Sequence, residues 1–433
     1  MDLYTNPPIE DWPKLCKRPS LSAYEKEDII AEIFNMVQLK GDEAVRAYTR
    51  KFDGVKLSNL IVDPLKIKEL ALQTSVELRE AIDTAYQNIR AFHKMQQLAE
   101  VGETVETAPG VICWREARPI ERVGLYIPGG SAPLISTVLM LGVPAQLAGC
   151  KEIIICTPPS KDLTVNPAIC YAALKIGVDM LVCVGGAQAI AALAIGTDSV
   201  PKVDKIFGPG NQYVTSAKQY ASRFGVSIDM PAGPSELMVV ADKTATPSYV
   251  AADLLSQAEH GPDSQVILVT TSSSLAQAVQ NEVTKQLNLL PRRQIASLAL
   301  GNSYCAVFQA IDVAIEFANT YGPEHLSIQT TQPAQKAKQI QNAGSVFIGK
   351  YSAESAGDYA SGTNHTLPTN GWAKSMGGIS LDSFVKKISF QTISKKGIRS
   401  LAPTIVTLAR AEGLSGHARS VTIRTNTVDA TEP

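Results

Sequence analysis

The sequence predicts an α/β protein with two Rossmann-like, incomplete doubly wound domains, a helical N-terminal segment and a small helical C-terminal domain. Short apolar runs such as Glu152–Cys156 (EIIIC) alternate with helical patterns between residues 123 and 240. A second alternating series of strands and helices follows between residues 242 and 348. Strands that are apolar along their whole length are typical of parallel sheets covered by helices on both faces.

The length of the chain is the third observation, because 433 residues exceed the size of a single hydrophobic core. The chain is expected to contain four regions. We expect an N-terminal tail, a larger α/β domain built from two segments, a Rossmann-like nucleotide-binding domain and a small C-terminal dimerisation domain. Their bounds are 1–21, 22–122 with 236–380, 123–235, and 381–433.

Local patterns predict the remaining elements. Residues 1–20 contain several prolines and are expected to be irregular. Apolar residues at three- and four-residue steps predict helices over 22–98. Alternation on both sides of the Pro-Gly pair at 109–110 predicts a β-hairpin. The C-terminal part has a mainly helical pattern and ends in a strand-like stretch, SVTIRTN, at 420–426.

Composition excludes several classes of partner. The formal net charge is -1 and 45% of the residues are hydrophobic, so there is no bias towards nucleic acid or acidic membranes. No apolar run approaches the roughly 18 residues of a membrane span. The seven cysteines form no C-x-x-C pair, which argues against a disulfide framework and a cysteine zinc cluster. We therefore expect a cytoplasmic protein without nucleic-acid or membrane partners.

Three glycine-rich turns stand where ligands of open α/β sheets bind. The stretches at 128–133, 184–189 and 207–213 each follow a predicted strand and precede a predicted helix. Helix N-termini at such turns offer unpaired N–H groups to phosphates. None of the turns completes G-x-G-x-x-G, since Tyr213 stands at the last position of the best match. They are therefore either tight strand-to-helix turns or part of a nucleotide-like site.

A possible metal site begins at LLSQAEHGPDS, residues 254–264. Gln257 and His260 are three apart on a predicted helix, so an amide oxygen and an imidazole nitrogen can converge on one point. Asp358, between small residues in AGDYASG, offers a carboxylate, and zinc accepts all three ligand types. Isolated loop histidines are also common as simple hydrogen-bonding residues, and Asp often only forms turns. Four of the five histidines lie beside glycine- or proline-marked turns, namely His260, His325, His365 and His417.

Proton-transfer groups precede two predicted strands. Glu324 and His325 follow Gly-Pro, and a histidine titrates near neutral pH while a buried glutamate can activate water. Ser235 and Glu236 occupy a similar position, where a plain turn is the alternative. Thiol nucleophiles such as Cys113 or Cys150 lack a neighbouring histidine or helix start that would lower their pKa, so inert core thiols are favoured.

Four stretches together identify a family. LLSQAEHGPDSQ, YGPEHL, SAGDYASGTNHTLPT and IFGPGN make the chain similar to bacterial histidinol dehydrogenases from about residue 22 to 425. The resemblance implies a zinc-dependent enzyme that oxidises L-histidinol through L-histidinal to L-histidine with NAD, in the last steps of histidine biosynthesis. It also implies one Zn²⁺ per subunit and a homodimer with shared active sites.

The resemblance also implies roles for individual residues. The zinc ligands would be Gln257, His260, Asp358 and His417, of which the last comes from the neighbouring subunit. Glu324 and His325 would be the acid–base pair. The substrate would contact the zinc ligands, His325 and three further residues, Ser235, His365 and Glu412, with Glu412 also supplied by the neighbour. The residues along NAD would be Tyr126, Gln188 and Asn211.

Two other functions remain open on the residues alone. A zinc hydrolase would use the same ligands, with Glu324 as the base for metal-bound water, and would need no nicotinamide. A two-lobed binding protein would hold its ligand in a cleft between the α/β domains, with the metal as a clamp and no turnover.

Overall fold

The computed structural model describes residues 1–19, 24–97, 102–129, 133–160, 164–231 and 233–426. The chain forms two compact units, the first of Met1–Gln96 with Ile120–Phe384 and the second of Gln97–Pro119 with Val385–Pro433. The division into four regions expected from the sequence stays a prediction. Within the described ranges, no helix has both the length and the hydropathy needed to cross a bilayer.

The strands of the described residues include all nine that the alternating α/β series predicts. In chain order they are β1 (Asp2–Thr5), β2 (Val105–Ala108), β3 (Val111–Pro119), β4 (Arg122–Tyr126), β5 (Glu152–Cys156), β6 (Met180–Val182), β7 (Lys205–Phe207), β8 (Ser227–Ile228), β9 (Glu236–Ala241), β10 (Gln265–Thr270), β11 (Tyr304–Val307), β12 (His325–Gln329), β13 (Ser345–Ile348) and β14 (Val385–Ile393).

Helices fill most of the intervening sequence, and α2 to α5 confirm the helical N-terminal segment. Polar side chains cap several first turns, as Asp63 and Ser75 do at the starts of α4 and α5. The helices are α1 (Trp12–Leu15), α2 (Tyr24–Lys40), α3 (Asp42–Asp53), α4 (Pro64–Leu72), α5 (Val76–Lys94), α6 (Ile135–Ala148), α7 (Pro167–Ile176), α8 (Gly186–Ile195), α9 (Gln212–Ala221), α10 (Pro247–Ala258), α11 (Ser273–Leu287), α12 (Arg293–Gly301), α13 (Ile311–Tyr321), α14 (Pro333–Ala337), α15 (Glu354–Tyr359), α16 (Lys395–Ala411) and α17 (Ser415–Asn426).

The first unit contains a five-stranded parallel sheet in the order β6-β5-β4-β7-β8. Alternate residues of each strand face opposite sides of this sheet. Ile153 and Ile155 pack with α4 to α7 on one face, and Ile154 packs with α2, α3, α8 and α9 on the other. The chain runs outward from β4 to β6 and then returns to β7 beside β4. This reversal makes the sheet doubly wound and leaves a crevice at the carboxyl ends of β4 and β7.

A six-stranded parallel sheet, in the order β1-β11-β10-β9-β12-β13, forms the rest of this unit. Val239 packs with α10, α11 and α12 on one face, and Val240 packs with α1 and α13 on the other. The irregular N-terminal tail expected from the sequence is wrong in part, because Leu3 in β1 pairs with Cys305 in β11. The side chains of β1 are all exposed, so no burial alternation marks this strand in the sequence.

The second unit has a three-stranded antiparallel sheet, β14-β3-β2, and the packed helices α16 and α17. The predicted hairpin at 109–110 is confirmed, whereas β14 lies in a segment expected to be helical. The strand expected at 420–426 is wrong, because these residues belong to α17. Ala418 and Val421, three apart, are buried on one helix face, while Ile423 is exposed. Helical packing thus overrides the strand propensity of the β-branched residues.

Candidate active site

Residues from both parallel sheets line one cavity of about 370 Å³ in the first unit. One wall is formed by the turns after β4 and β7, at the carboxyl edge of the five-stranded sheet. The opposite wall is formed at the amino ends of β9 and β12, in the six-stranded sheet. The lining residues include Gly129, Gly208, Asn211, Ser235, Glu324 and His325. The cavity thus brings glycine-rich turns, which expose backbone groups, together with the titratable side chains of Glu324 and His325.

The turn after β7 requires glycine. Gly208 has a φ of +122°, and a Cβ at this position would lie 2.1 Å from the carbonyl oxygen of Tyr126. The Gly208 amide donates to Asp229 Oδ2 at 2.7 Å, and Lys218 Nζ donates to the Gly208 carbonyl at 2.6 Å. The Lys218–Asp229 ion pair is itself buried. A ligand can therefore approach a fixed backbone at the crevice between β4 and β7.

The three residues predicted along NAD are placed differently. Asn211 lines the cavity and caps α9, where its Oδ1 accepts two backbone hydrogen bonds at 3.0 and 3.1 Å. Tyr126 is buried, its hydroxyl accepts from the Gly186 amide at 3.1 Å, and burial raises the pKa of Tyr126 to about 12. Gln188 is buried in α8. Of the three, Asn211 alone is among the described residues that line the cavity. The roles of Tyr126 and Gln188 stay predictions.

The acid–base candidates are held by the backbone of one residue. Glu324 Oε2 accepts from the Glu236 amide at 2.7 Å, and His325 Nδ1 lies 3.1 Å from the Glu236 carbonyl oxygen. A carbonyl oxygen can only accept, so Nδ1 carries a proton and Nε2 is left for proton transfer. Among the described residues, His325 Nε2 has no hydrogen-bond partner, although Asp358 Oδ1 lies 3.5 Å away.

Charges around His325 determine its basicity. Burial disfavours the imidazolium, but the carboxylates of Glu324 and Asp358 outweigh burial and raise the pKa of His325 well above its usual value. Burial tends to raise the pKa of Asp358, but the nearby imidazoles of His325, His365 and His260 outweigh burial and lower this pKa. The site therefore favours a proton on the imidazole and a charge on Asp358.

One buried acid in this cluster was missed by the sequence analysis. Glu354 is 1% exposed, and its Oε2 accepts from Ser256 Oγ at 2.6 Å. Its Oε1 has no hydrogen-bond partner within the described ranges, and burial raises the pKa of Glu354 to about 8. Ligand atoms of Glu354, His325 and Asp358 all lie within 4.8 Å of one another. The four-residue spacing of Glu354 and Asp358, which places both on one face of α15, was the available signal.

The helix predicted to carry the amide and imidazole ligands ends sooner, because Gln257 lies in the last turn of α10 and His260 lies two residues after its end. Gln257 Nε2 lies 3.4 Å from His260 Nδ1, and His260 and Asp358 both line the cavity. Gln257 Oε1 is buried, and no described group donates a hydrogen bond to it. A buried acceptor without a donor normally costs stability, and a cation would satisfy it. An amide oxygen, an imidazole nitrogen and a carboxylate form a donor set that fits zinc.

The remaining substrate candidates divide between the two units. Ser235 lines the cavity, and His365 reaches it with both ring nitrogens engaged, Nδ1 at 2.9 Å from the Asp358 carbonyl and Nε2 at 3.1 Å from Thr137 Oγ1. Glu412 and His417 lie in the second unit, after α16 and in the first turn of α17, and both side chains are exposed. Their roles at the site stay predictions.

The thiols do not resemble nucleophiles. Burial raises the pKa of Cys150 to about 12, so its thiolate is scarce at neutral pH. Cys113 lies in β3 of the second unit. The expectation that inert thiols are favoured therefore agrees with the chemistry of Cys150.

The fold and the site together define the class of protein. The protein is an α/β enzyme in which a buried candidate acid–base pair, Glu324 and His325, lines the same cavity as the glycine-rich turns of a crevice of the nucleotide-binding type. Residues 16–425 match the family model described as histidinol dehydrogenase. The chain belongs to the histidinol dehydrogenase family of oxidoreductases, which confirms the family, the fold class and the enzyme class expected from the sequence.

Individual relatives agree with this assignment. The histidinol dehydrogenase of Bacteroides thetaiotaomicron is 53% identical over 428 residues, which cover 99% of this chain and 100% of the relative. That of Vibrio parahaemolyticus is 51% identical and is covered over 91% of both chains. The crystal structure of histidinol dehydrogenase from Elizabethkingia anophelis matches with a TM-score of 0.96 at 51% identity, over 99% of each chain.

Proposed function

We propose that the protein oxidises L-histidinol to L-histidine in two hydride transfers, with L-histidinal between them, and that it uses zinc and NAD. In the first oxidation the alcohol gives up a hydride and a proton. Water then adds to the aldehyde, and the hydrate gives up a second hydride and its protons to form the carboxylate. Each hydride would need one NAD as its acceptor, so the overall reaction would consume two NAD and balance in electrons and atoms.

The observation that carries the proposal is the buried Glu324–His325 pair facing the glycine-lined crevice. Both side chains are anchored on the Glu236 backbone, at 2.7 and 3.1 Å, which leaves His325 Nε2 directed away from its anchor. General acid–base groups need this kind of fixed orientation at a reacting hydroxyl. The family of the chain supports histidinol as the substrate.

Zinc fits the donors at one end of the cavity. Gln257, His260 and Asp358 of this chain would hold it, and the unsatisfied Gln257 Oε1 supports this choice. When bound, zinc supplies a template for the substrate imidazole and amine, and NAD supplies the hydride acceptor. NAD would lie along the turns after β4 and β7, with Asn211 at the start of α9 and with Tyr126 and Gln188 behind.

The protein's own residues would move the protons. His325 would accept the hydroxyl proton of the alcohol at Nε2, while the Glu236 carbonyl keeps the imidazole oriented through Nδ1. To accept this proton the imidazole must be neutral at Nε2, and a cation held by Asp358 would offset the carboxylate charge that otherwise raises the pKa of His325. In the second oxidation Glu324 would orient and deprotonate the water that adds to the aldehyde. Ser235 and His365 would contact the substrate from the cavity wall.

The Glu324→Gln variant tests this division of labour. The amide can still accept a hydrogen bond from the Glu236 amide but does not deprotonate water. We expect aldehyde oxidation to fall by about 10²- to 10⁴-fold, the usual contribution of a general base, while alcohol oxidation falls much less. NADH formation from L-histidinol and from L-histidinal, measured separately, gives both rates.

Glu282→Gln is the matched control, because Glu282 in α11 is not among the described residues that line the cavity and its side chain contacts Lys285 and Gln286 of the same helix. It should behave as the wild type with both substrates. Equal losses of the two oxidations in Glu324→Gln would remove the proposed role of Glu324 in water activation. The absence of NADH formation in the wild type would remove the proposed function altogether.

We further propose a homodimer with shared active sites, in which Glu412 and His417 of one subunit complete the site of the other. Both side chains are exposed in the second unit, as residues that serve a neighbouring subunit would be. Mixing a His417→Ala chain with a Gln257→Ala chain should restore part of the activity, because hybrid dimers contain one intact site. Hybrids that assemble but stay inactive would contradict sharing. A reducing compartment such as the cytoplasm suits the seven cysteines, which form no disulfide within the described residues.

A further inference from the structure

Arg18, in the N-terminal tail, contacts residues that adjoin the Glu324–His325 pair. The Arg18 side chain is 10% exposed, and its Nε and Nη2 donate to the two carboxylate oxygens of Glu236 at 3.0 and 3.1 Å. Nη2 also donates to the carbonyl oxygens of Tyr321 and Gly322, at 2.8 and 3.2 Å. The guanidinium lies 3.6 Å from the centre of the Tyr321 ring. Arg18 therefore joins the start of β9 to the turn that leads into Glu324.

Glu236 and the turn at residues 321–322, which Arg18 joins, both adjoin Glu324 and His325. The Glu236 side chain is held by Arg18 and by the Asn370 amide, which donates to its Oε1 at 2.7 Å. The backbone of the same Glu236 holds Glu324 and His325 through its N–H and C=O groups. Arg18 also holds the carbonyls of residues 321 and 322, which lie three and two residues before Glu324. A shift of either anchor would change where the two side chains point.

We propose that Arg18 is a positioning residue for the Glu324–His325 pair and that its bidentate contact with Glu236 keeps the two side chains in their reactive orientation. This inference rests on the proposed function, in which that pair moves the protons. Arg18 touches neither side chain and acts through Glu236 and through the turn before β12. A planar guanidinium suits the task, because its fixed fork binds a carboxylate in one orientation and leaves donors for the carbonyls.

Replacing Arg18 would leave the Glu236 carboxylate, which is 1% exposed, without its charge partner. A buried carboxylate in that position either takes up a proton or turns towards another donor, and its strand moves with it. Displacements of about 1 Å at reacting groups can cost on the order of 10²-fold in rate. A purely structural arginine would instead lower stability and leave the rate per folded molecule unchanged.

Arg122 provides a matched control in the other sheet. Its Nε and Nη2 donate to the two oxygens of Glu152 at 2.7 and 2.6 Å, so it forms the same bidentate pair between two strands. This pair lies at the amino ends of β4 and β5, where no described residue lines the cavity. Arg122→Ala removes a pair of the same bidentate geometry, although a more exposed one, without touching the site.

The test compares Arg18→Ala, Arg18→Lys and Arg122→Ala as full-length proteins with L-histidinol and NAD. We expect kcat to fall about 10- to 100-fold in Arg18→Ala, with little change in the KM for L-histidinol. Arg18→Lys should have an intermediate kcat, because an ammonium keeps the charge and loses the fork. Guanidinium ion at non-denaturing concentration should raise the kcat of Arg18→Ala and leave Arg122→Ala unchanged.

An unchanged kcat in a folded Arg18→Ala, beside an active wild type, would overturn the inference alone. Equal stimulation of both alanine variants by guanidinium would also overturn it. If Arg18→Ala fails to fold, Arg18→Lys decides, since a wild-type kcat there would show that the fork is not needed. A wild type without NADH formation would overturn the proposed function and, with it, this inference.

Discussion

The two parallel sheets present opposite edges to the same cavity. The five-stranded sheet presents its carboxyl edge, where Gly129, Gly208 and Asn211 offer mainly backbone groups. The six-stranded sheet presents its amino edge, where Glu324 and His325 offer titratable side chains at the start of β12. The strand order reverses in both sheets, at β4 and β7 in one and at β9 and β12 in the other.

The carboxyl edge shows what the fold alone supplies, and the amino edge shows what particular side chains supply. A crevice at the carboxyl ends of a reversal point is a general property of doubly wound sheets, and backbone N–H groups there suit many nucleotides. The amino edge has no such general role. Its chemistry depends on particular side chains and on the residues that hold them, such as Glu236.

The amino edge of the five-stranded sheet shows the ordinary use of such a surface. There Arg122 pairs with Glu152, and Asp42 accepts hydrogen bonds from the side chain and the amide of Ser199. The first contact joins two strand ends and the second joins the start of α3 to a loop, and none of these four residues is among the described residues that line the cavity. The amino edge thus carries structural contacts in the five-stranded sheet and the candidate acid–base pair in the six-stranded sheet.

The largest effect that would sharpen this contrast is expected from His325→Gln. Removing the proposed proton acceptor should lower kcat by about 10²- to 10⁴-fold, while the dissociation constant of NAD, whose proposed site is at the opposite edge, should stay the same. Steady-state kinetics and calorimetric NAD titration measure the two quantities. His93→Gln changes a histidine that is equally buried but lies in α5, and its kcat should remain near that of the wild type. A kcat near that of the wild type in His325→Gln would break the contrast.

The next effect concerns the support of the glycine turn. Lys218→Met leaves Asp229, which is 1% exposed, as an unpaired buried carboxylate. Breaking such a pair costs about 3 kcal/mol or more, and we expect that loss in the free energy of unfolding by urea. Arg223→Met, in the exposed pair with Glu27, should leave the unfolding free energy unchanged. Equal stability of Lys218→Met and the wild type would show that this pair does not fix the turn.

A smaller change is expected from Gly208→Ala. Its Cβ would lie 2.1 Å from the Tyr126 carbonyl oxygen, so the turn has to move. NAD should bind about tenfold more weakly, equivalent to about 1.4 kcal/mol, with the L-histidinol KM little changed. Gly225→Ala is the control, since Gly225 has a φ of +74° and no atom of the described residues lies within 4 Å of its added Cβ. Unaltered NAD affinity in Gly208→Ala would separate the turn from nucleotide binding.

The smallest effect is expected from Asp42→Asn, at the amino edge of the five-stranded sheet. Burial tends to raise the pKa of Asp42, but hydrogen bonds from Ser199 and Thr197 outweigh it and lower the pKa. A lowered pKa in the folded state means that the charged form adds stability above the unfolded pKa and loses it as the pH falls through the folded value. Asp42→Asn should therefore cost about 1 kcal/mol at neutral pH and less in acid. Urea unfolding at several pH values measures this, and a cost that grows in acid would contradict it.

Much of the fold followed from the sequence because its strands are short, apolar and separated by helical patterns. EIIIC at Glu152–Cys156 is buried on both faces, and such runs are easily recognised. Strands without that pattern were missed. The side chains of β1 are exposed, and β14 is also largely exposed, so their positions depend on partners distant in sequence, β11 and β3.

The candidate site was partly predictable for a similar reason. Local spacing placed Gln257 and His260 on one helix face and Glu324 beside His325, and the structure brings these four residues to one end of the first unit's cavity or beside it. Glu354 and Arg18 were missed, because their importance comes from burial and from contacts with residues far along the chain. Arg18 and Glu236 are separated by 218 positions, which no local pattern reveals.

The account depends on one cavity serving both oxidations, and the number of NADH molecules formed per L-histidinol consumed tests this most directly. We predict two NADH per L-histidinol without release of L-histidinal, loss of this activity with a zinc chelator, and its return when zinc is added. One NADH per L-histidinol with free L-histidinal, or full turnover in the presence of the chelator, would contradict the account.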